Sequence, residues 1–125
     1  MKLHLDKSNP ANRVRSCTRS KTGFVIRIDE QDYTSSLIIT PDEIIDWKVN
    51  TLSEIRSRDF KKIADLNPEV VILGTGPVQE FPDPKVHLPL IEAGIGLEVM
   101  NTPAACRTYS ILLSDDRIII AALIL

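Results

Sequence analysis

Apolar and polar positions alternate in the first half of the chain and run together in the second. Gly23 opens the first clear pattern: Phe24 to Ile28 alternates well enough for a strand, Asp29-Glu30 turns, and Gln31–Tyr33 pairs back as a hairpin. Leu37-Ile38-Ile39-Thr40 predicts a further strand, checked by Pro41-Asp42, and Glu43 to Trp47 another. This half reads as an antiparallel meander. From Thr51 the period changes to a helical stripe through Leu52, Ile55, Phe60, Ile63 and Leu66. Ser57 is the expected N-cap of a helix over 58–65, and Asn67-Pro68 its stop.

Val70-Val71-Ile72-Leu73 is continuously apolar, as a parallel strand buried on both faces requires, and Gly74-Thr75-Gly76-Pro77 closes it. Four prolines (Pro77, Pro82, Pro84, Pro89) exclude a long helix in the next stretch. It reads as irregular to Asp83, then as a short helix from Pro84 to about Glu92, distorted by Pro89. Gly94-Ile95-Gly96 returns the chain to a strand at 97–100. Thr102-Pro103 reads as a helix start, with Thr102 capping and Pro103 where its missing N–H costs nothing. Helix is expected to about Ser114, a stop at Asp115-Asp116, and a strand buried on both faces over 118–125. That last run is too short to span a membrane.

The pattern predicts an α+β protein: one mixed sheet, an N-terminal β-meander with its hairpin, and a C-terminal strand–helix–strand half with right-handed crossovers. Residues 23–125 form the expected single domain. Residues 1–22 read as a basic, partly irregular lead-in in which only Leu3 and Leu5 suggest a short edge strand. Tyr33 and Trp47 read as core or rim aromatics with a polar tip at the surface.

Charge sharpens this picture. The 125-residue chain has a net charge of −2, yet residues 1–27 hold seven Lys/Arg against Asp6 alone. A solvated basic segment against an acidic body explains this, and an anion- or membrane-binding arm is the alternative. The basic segment lacks the interleaved aromatics of single-strand binders, so no nucleic-acid partner is expected. Two cysteines without a CxxC, and no secretory apolar segment, argue against a disulfide scaffold and for a reducing compartment, most simply the cytoplasm. Metal-binding motifs and carboxylate clusters are lacking, so neither a metal nor another cofactor is expected.

GTG at 74–76, GIG at 94–96, EVM at 98–100, TPAACRTY at 102–109 and AALI at 121–124 together resemble a conserved family of unknown function. Its relatives include a mitochondrial complex I assembly factor and the adipogenesis-associated domain protein of animals. The resemblance spans about residues 22–125, and TPAACRTY is its most specific piece. It implies a compact three-layer α+β fold, and no reaction. Ser110 stands where Asn usually follows the Tyr, and Asp115-Asp116-Arg117 replaces an acid-Gly-Arg turn.

Candidate chemistry converges on the ends of two strands. The GTG loop and the 101–103 link both follow strands, and open α/β sheets bind ligands at that edge. The helix beginning near Pro103 should point unpaired N–H groups there. Gly74, Thr75, Gly76, Thr102, Cys106, Arg107 and Thr108 are therefore the candidate ligand-binding residues, for a small anion or metabolite. GTG is too short for a phosphate-loop signature. The alternative is structural: the glycines permit close packing, and Arg107 pairs with Glu98 or Asp116. Cys106 suggests a nucleophile, but the only histidines, His4 and His87, have no motif to make either its base, and no catalytic residue is assigned. Three functions remain: a non-enzymatic assembly or accessory factor with an unidentified protein partner, an anion- or metabolite-binding module, and, third, a thiol enzyme. The chain is expected as a monomer or as a homodimer through an exposed edge strand.

Overall fold

The computed structural model describes residues 13–113 and 117–125. Two sheets form. Strands β1 (Val14–Ser20), β2 (Gly23–Ile28) and β3 (Gln31–Tyr33) make a small antiparallel sheet in chain order. Strands β4 (Leu37–Ile39), β5 (Ile44–Asp46), β6 (Val70–Gly74), β7 (Gly96–Met100) and β8 (Ile119–Leu123) make a five-stranded sheet in the order β5-β4-β8-β6-β7. The β4–β5 and β4–β8 pairs are antiparallel, while β6 lies parallel to both β7 and β8. Helices α1 (Ser57–Ala64), α2 (Leu88–Glu92) and α3 (Thr102–Leu113) complete the fold.

Alternation along the central strands divides the interior in two. On β8, Ile120, Ala122 and Ile124 face one core, and Ile119, Ala121 and Leu123 face the other. The first core holds Phe60 and Ile63 of α1, Leu90 of α2, and Val71 and Leu73 of β6. The second holds Ala105, Cys106 and Tyr109 of α3, together with Ile26 and Ile28 of β2. The result is three layers: α1 and α2, the five-stranded sheet, and α3 with the small sheet. The mixed sheet, the Gln31–Tyr33 hairpin and the parallel C-terminal half match the sequence pattern. The meander, however, is split between the two sheets, because β4 and β5 join β8 instead of β3.

Four local expectations are corrected. Residues 14–20 are a strand, not a loop: β1 pairs with β2 along its length with an irregularity between Val14 and Ser16. Its mostly exposed, polar side chains conceal it from hydrophobic patterning. Ser57 is the first residue of α1 and not its cap; Arg56 precedes the helix, and its N–H donates to Asp59 Oδ2 at 2.8 Å. The helix expected from Pro84 shrinks to Leu88–Glu92, and Pro89 sits at its start, where proline is tolerated, not within it. Trp47 is buried, and its Nε1 finds no hydrogen-bond partner among the described residues, in place of a polar tip at the surface. The expectations for Leu3, Leu5, His4, Ser114, Asp115 and Asp116 lie outside the described residues.

Candidate functional site

The carboxyl ends of β6 and β7 meet the start of α3, and the GTG loop is built into this junction. Gly74 sits where a side chain would crowd its neighbours: a Cβ there would lie 2.9 Å from Leu123 Cδ2, 3.0 Å from Thr102 Oγ1 and 3.1 Å from Ala105 Cβ. Gly76 adopts φ +96°, a region side-chain-bearing residues avoid. Thr75 donates its hydroxyl to the Val78 carbonyl at 2.6 Å and accepts from the Glu80 N–H, so it shapes the loop that follows.

Thr102 does not cap α3. Its hydroxyl donates to the Ile124 carbonyl at 2.7 Å and accepts the Gly76 N–H at 2.8 Å, with the side chain fully buried. Asn101 takes the capping role, its Oδ1 accepting from the Ala104 N–H at 2.9 Å. The leading donors of α3 are thereby all used. Thr102 N–H donates to the Gly76 carbonyl at 2.8 Å, Pro103 has none, and Ala105 N–H donates to the Asn101 carbonyl at 2.9 Å. The unpaired N–H groups expected from the sequence are engaged by the protein itself.

Of the seven candidate residues, Gly74, Thr75, Gly76 and Thr102 meet in this buried junction. Cys106 and Arg107 do not join them. They line a cavity of about 550 Å³ between α3 and β1, with Pro103, Ser110 and Ile111 on the helix and Val14 to Cys17 on the strand. Thr108 is half-buried on α3. Arg107 is exposed, and no carboxylate among the described residues pairs with it, so the suggested Glu98 partner is not used. The Cys106 thiol is buried, and desolvation, with the neighbouring Cys17 adding to it, holds it well above its ordinary range against the opposing charge of Arg107. That is the reverse of the activation a nucleophile needs. Cys17, which the sequence pattern placed in an irregular lead-in and in a very different context from Cys106, meets it here; the signal was lost with β1.

A different surface was also not legible. Val78 and Phe81 are exposed on the proline-rich segment, as are Leu88 and Ile91 on α2, and Phe81 is 70% exposed. Phe81 stands on the ridge between two hollows. One, of about 880 Å³, is lined by Leu52, Ile55, Arg56 and the 80–86 segment; the other, of about 490 Å³, by His87 and the 97–99 edge of β7. Gln79 Nε2 donates to the Val99 carbonyl at 2.9 Å, tying the segment across that sheet edge. Asp83 Oδ1 accepts the Lys85 N–H at 2.8 Å, and Asp83 O the Val86 N–H at 2.8 Å. Among the described residues, no helix is long and apolar enough to cross a membrane, and no cluster of three or more metal-ligating side chains forms.

Comparison with known proteins fits this architecture. The NADH dehydrogenase (ubiquinone) 1 alpha subcomplex assembly factor 3 of Xenopus tropicalis is 32% identical over 109 residues, covering 86% of this chain and 58% of the relative. The chain thus spans a little over half the length of that relative. The 13 kDa major membrane protein of Francisella tularensis is 27% identical over 99 residues, covering 78% of this chain and 79% of that one. Among solved structures, a Xanthomonas campestris protein superposes with a TM-score of 0.73 at 35% identity, over 93% of this chain and 89% of that one. A Mth938-like domain of Bordetella pertussis gives 0.78 at 26% identity, over 99% and 92%. The family model described as a protein of unknown function (DUF498/DUF598) matches residues 18–124, and the chain belongs to that family.

Proposed function

We propose that this chain is a non-enzymatic accessory module that works through protein contacts, with the 78–91 surface as its contact face. The observation that carries the reading is Phe81, a large aromatic 70% exposed between two hollows, on a segment held in shape by an internal turn at Asp83 and a hydrogen bond to the edge of β7. Buried aromatic anchors dominate binding energy at interfaces, and a preformed surface pays less ordering entropy on association. The assembly-factor name of the animal relatives supports the same reading. Two free cysteines fit work in a reducing compartment such as the cytoplasm.

A second reading, a small-anion module, is favoured by one observation. Arg15, Ser16, Arg107 and Ser110 line the same cavity, and no carboxylate among the described residues does. This reading keeps Arg107 and moves the ligand from the strand ends to the β1–α3 cavity.

The test is purification of the tagged full chain from its native host as wild type, Phe81→Ser and Arg107→Ala, with mass spectrometry of proteins and small molecules. The contact reading expects one stoichiometric protein partner, at least tenfold depleted by Phe81→Ser and retained by Arg107→Ala. A small anion retained by wild type and lost with Arg107→Ala, without a protein partner, moves the function to the cavity.

A further inference from the structure

The chain's only two cysteines come from different layers of the fold and meet. Cys17 projects from β1, an edge strand, and Cys106 from the second turn of α3. Both line the cavity beside Arg107, and the two thiols lie close enough to share a hydrogen bond. Their exposures differ: Cys17 is half-buried and faces the cavity, while Cys106 is 3% exposed behind it. Both are free thiols.

We propose that Cys17 and Cys106 form an oxidation site, at which a small hydroperoxide converts the thiol pair to a disulfide that ties β1 to α3. Hydrogen peroxide reaches the Cys17 sulfur through the cavity. The Cys17 thiolate attacks one peroxide oxygen, the O–O bond breaks, and the departing hydroxide takes up a proton to leave as water, giving a sulfenic acid. Cys106 sulfur then displaces the hydroxyl of that sulfenic acid; its own proton leaves with it as a second water. In sum, two thiols and one peroxide give one disulfide and two waters. The asymmetry of exposure gives the pair its direction. Cys106 already lies beside Cys17, so its attack on the sulfenic acid is intramolecular and is favoured over a mixed disulfide with an external thiol. Burial slows the first step by disfavouring the thiolate, and the Arg107 charge works against that cost at both sulfurs.

The experiment treats the reduced full-length chain with hydrogen peroxide, quenches with an alkylating reagent under denaturing conditions, and maps peptides without reduction. The expected result is an intact mass lower by two hydrogens, a linked peptide pair containing Cys17 and Cys106, and reversal by dithiothreitol. Closing so long a loop should also raise Tm by about 10 °C over the reduced protein. Cys17→Ala, on a half-exposed strand, should fold like the wild type and lose both effects. Cys106→Ala confirms the assignment but also alters the core. Oxygen adducts on Cys17 with Cys106 still free for alkylation would overturn the proposal. So would disulfide-linked dimers, or two unmodified thiols after prolonged exposure to excess peroxide.

Discussion

The two faces of the five-stranded sheet are covered by different means. Toward α1 and α2 the contacts are between bulky groups: Phe60, Ile63, Leu90, Val71, Leu73 and Ile120 fill the space. Toward α3 bulky groups such as Tyr109, Ile72 and Leu123 are joined by small ones at the closest approach. Gly74, Ala105 and Ala121 let the helix approach, and the Thr102 hydroxyl bridges Gly76 and Ile124 where backbone would otherwise be left unpaired. The first face holds by volume; the second adds close approach and a satisfied polar junction. Titratable groups differ too. Cys106 and Tyr109 lie buried on the α3 side, both held protonated mainly by desolvation.

The largest effect should come from removing volume on the first face. Phe60→Ala leaves a cavity in a fully buried site and should cost about 4 kcal/mol, read from urea unfolding. On the α3 face the sensitive feature is a hydroxyl. Thr102→Val keeps shape but leaves the Gly76 N–H and the Ile124 carbonyl without their partner, a loss of about 3 kcal/mol. Thr102→Ser keeps the oxygen and should cost under about 1.5 kcal/mol. Equal losses for Val and Ser would reduce the junction to packing and erase the contrast between the faces.

Alkaline titration separates the faces without mutation. Burial raises the folded ionisation of Cys106 above its ordinary 9.0 and of Tyr109 above its ordinary 10.0. Below those values folded and unfolded chains hold the same protons, and stability is undiminished. Above them the unfolded chain releases its protons first, so stability falls by about 1.4 kcal/mol per pH unit for each group until the folded group also ionises. Tyr109→Phe should remove the later part of that fall. At neutral pH it should be the mildest change, neutral or stabilising by about 1 kcal/mol, since the buried hydroxyl has no hydrogen-bond partner among the described residues. A clear loss at neutral pH would mean that the hydroxyl is engaged.

How much of this was legible follows from what each residue does locally. β6 and β8 announce themselves because Val71 to Leu73 and Ile119 to Ile124 are buried on both faces, and a continuous apolar run has few other uses. The start of α3 was legible as a place but not as a cap. Asn101 and Thr102 are both capable, and tertiary bonds to Gly76 and Ile124, far away in sequence, decided between them. β1 escaped because only Val14 and Cys17 turn inward from an otherwise polar strand. Without β1, the meeting of Cys17 with Cys106 could not be foreseen, nor the β1–α3 cavity that Arg107 lines instead of joining the GTG loop. The ridge at Phe81 escaped because exposure depends on what fails to cover a side chain, and hydrophobic patterning counts every Phe as core.

In the proposed function, protein contact belongs to the 78–91 surface, and the α3 face holds the fold and its thiol pair. Hydrogen exchange on the chain in complex with its purified native-host partner, compared with the free chain, tests that division most directly. New protection concentrated between residues 76 and 92, with β1 and the first half of α3 unchanged, is the predicted result. Protection over β1 and residues 103–111, with the Phe81 segment exchanging as in the free chain, would contradict it.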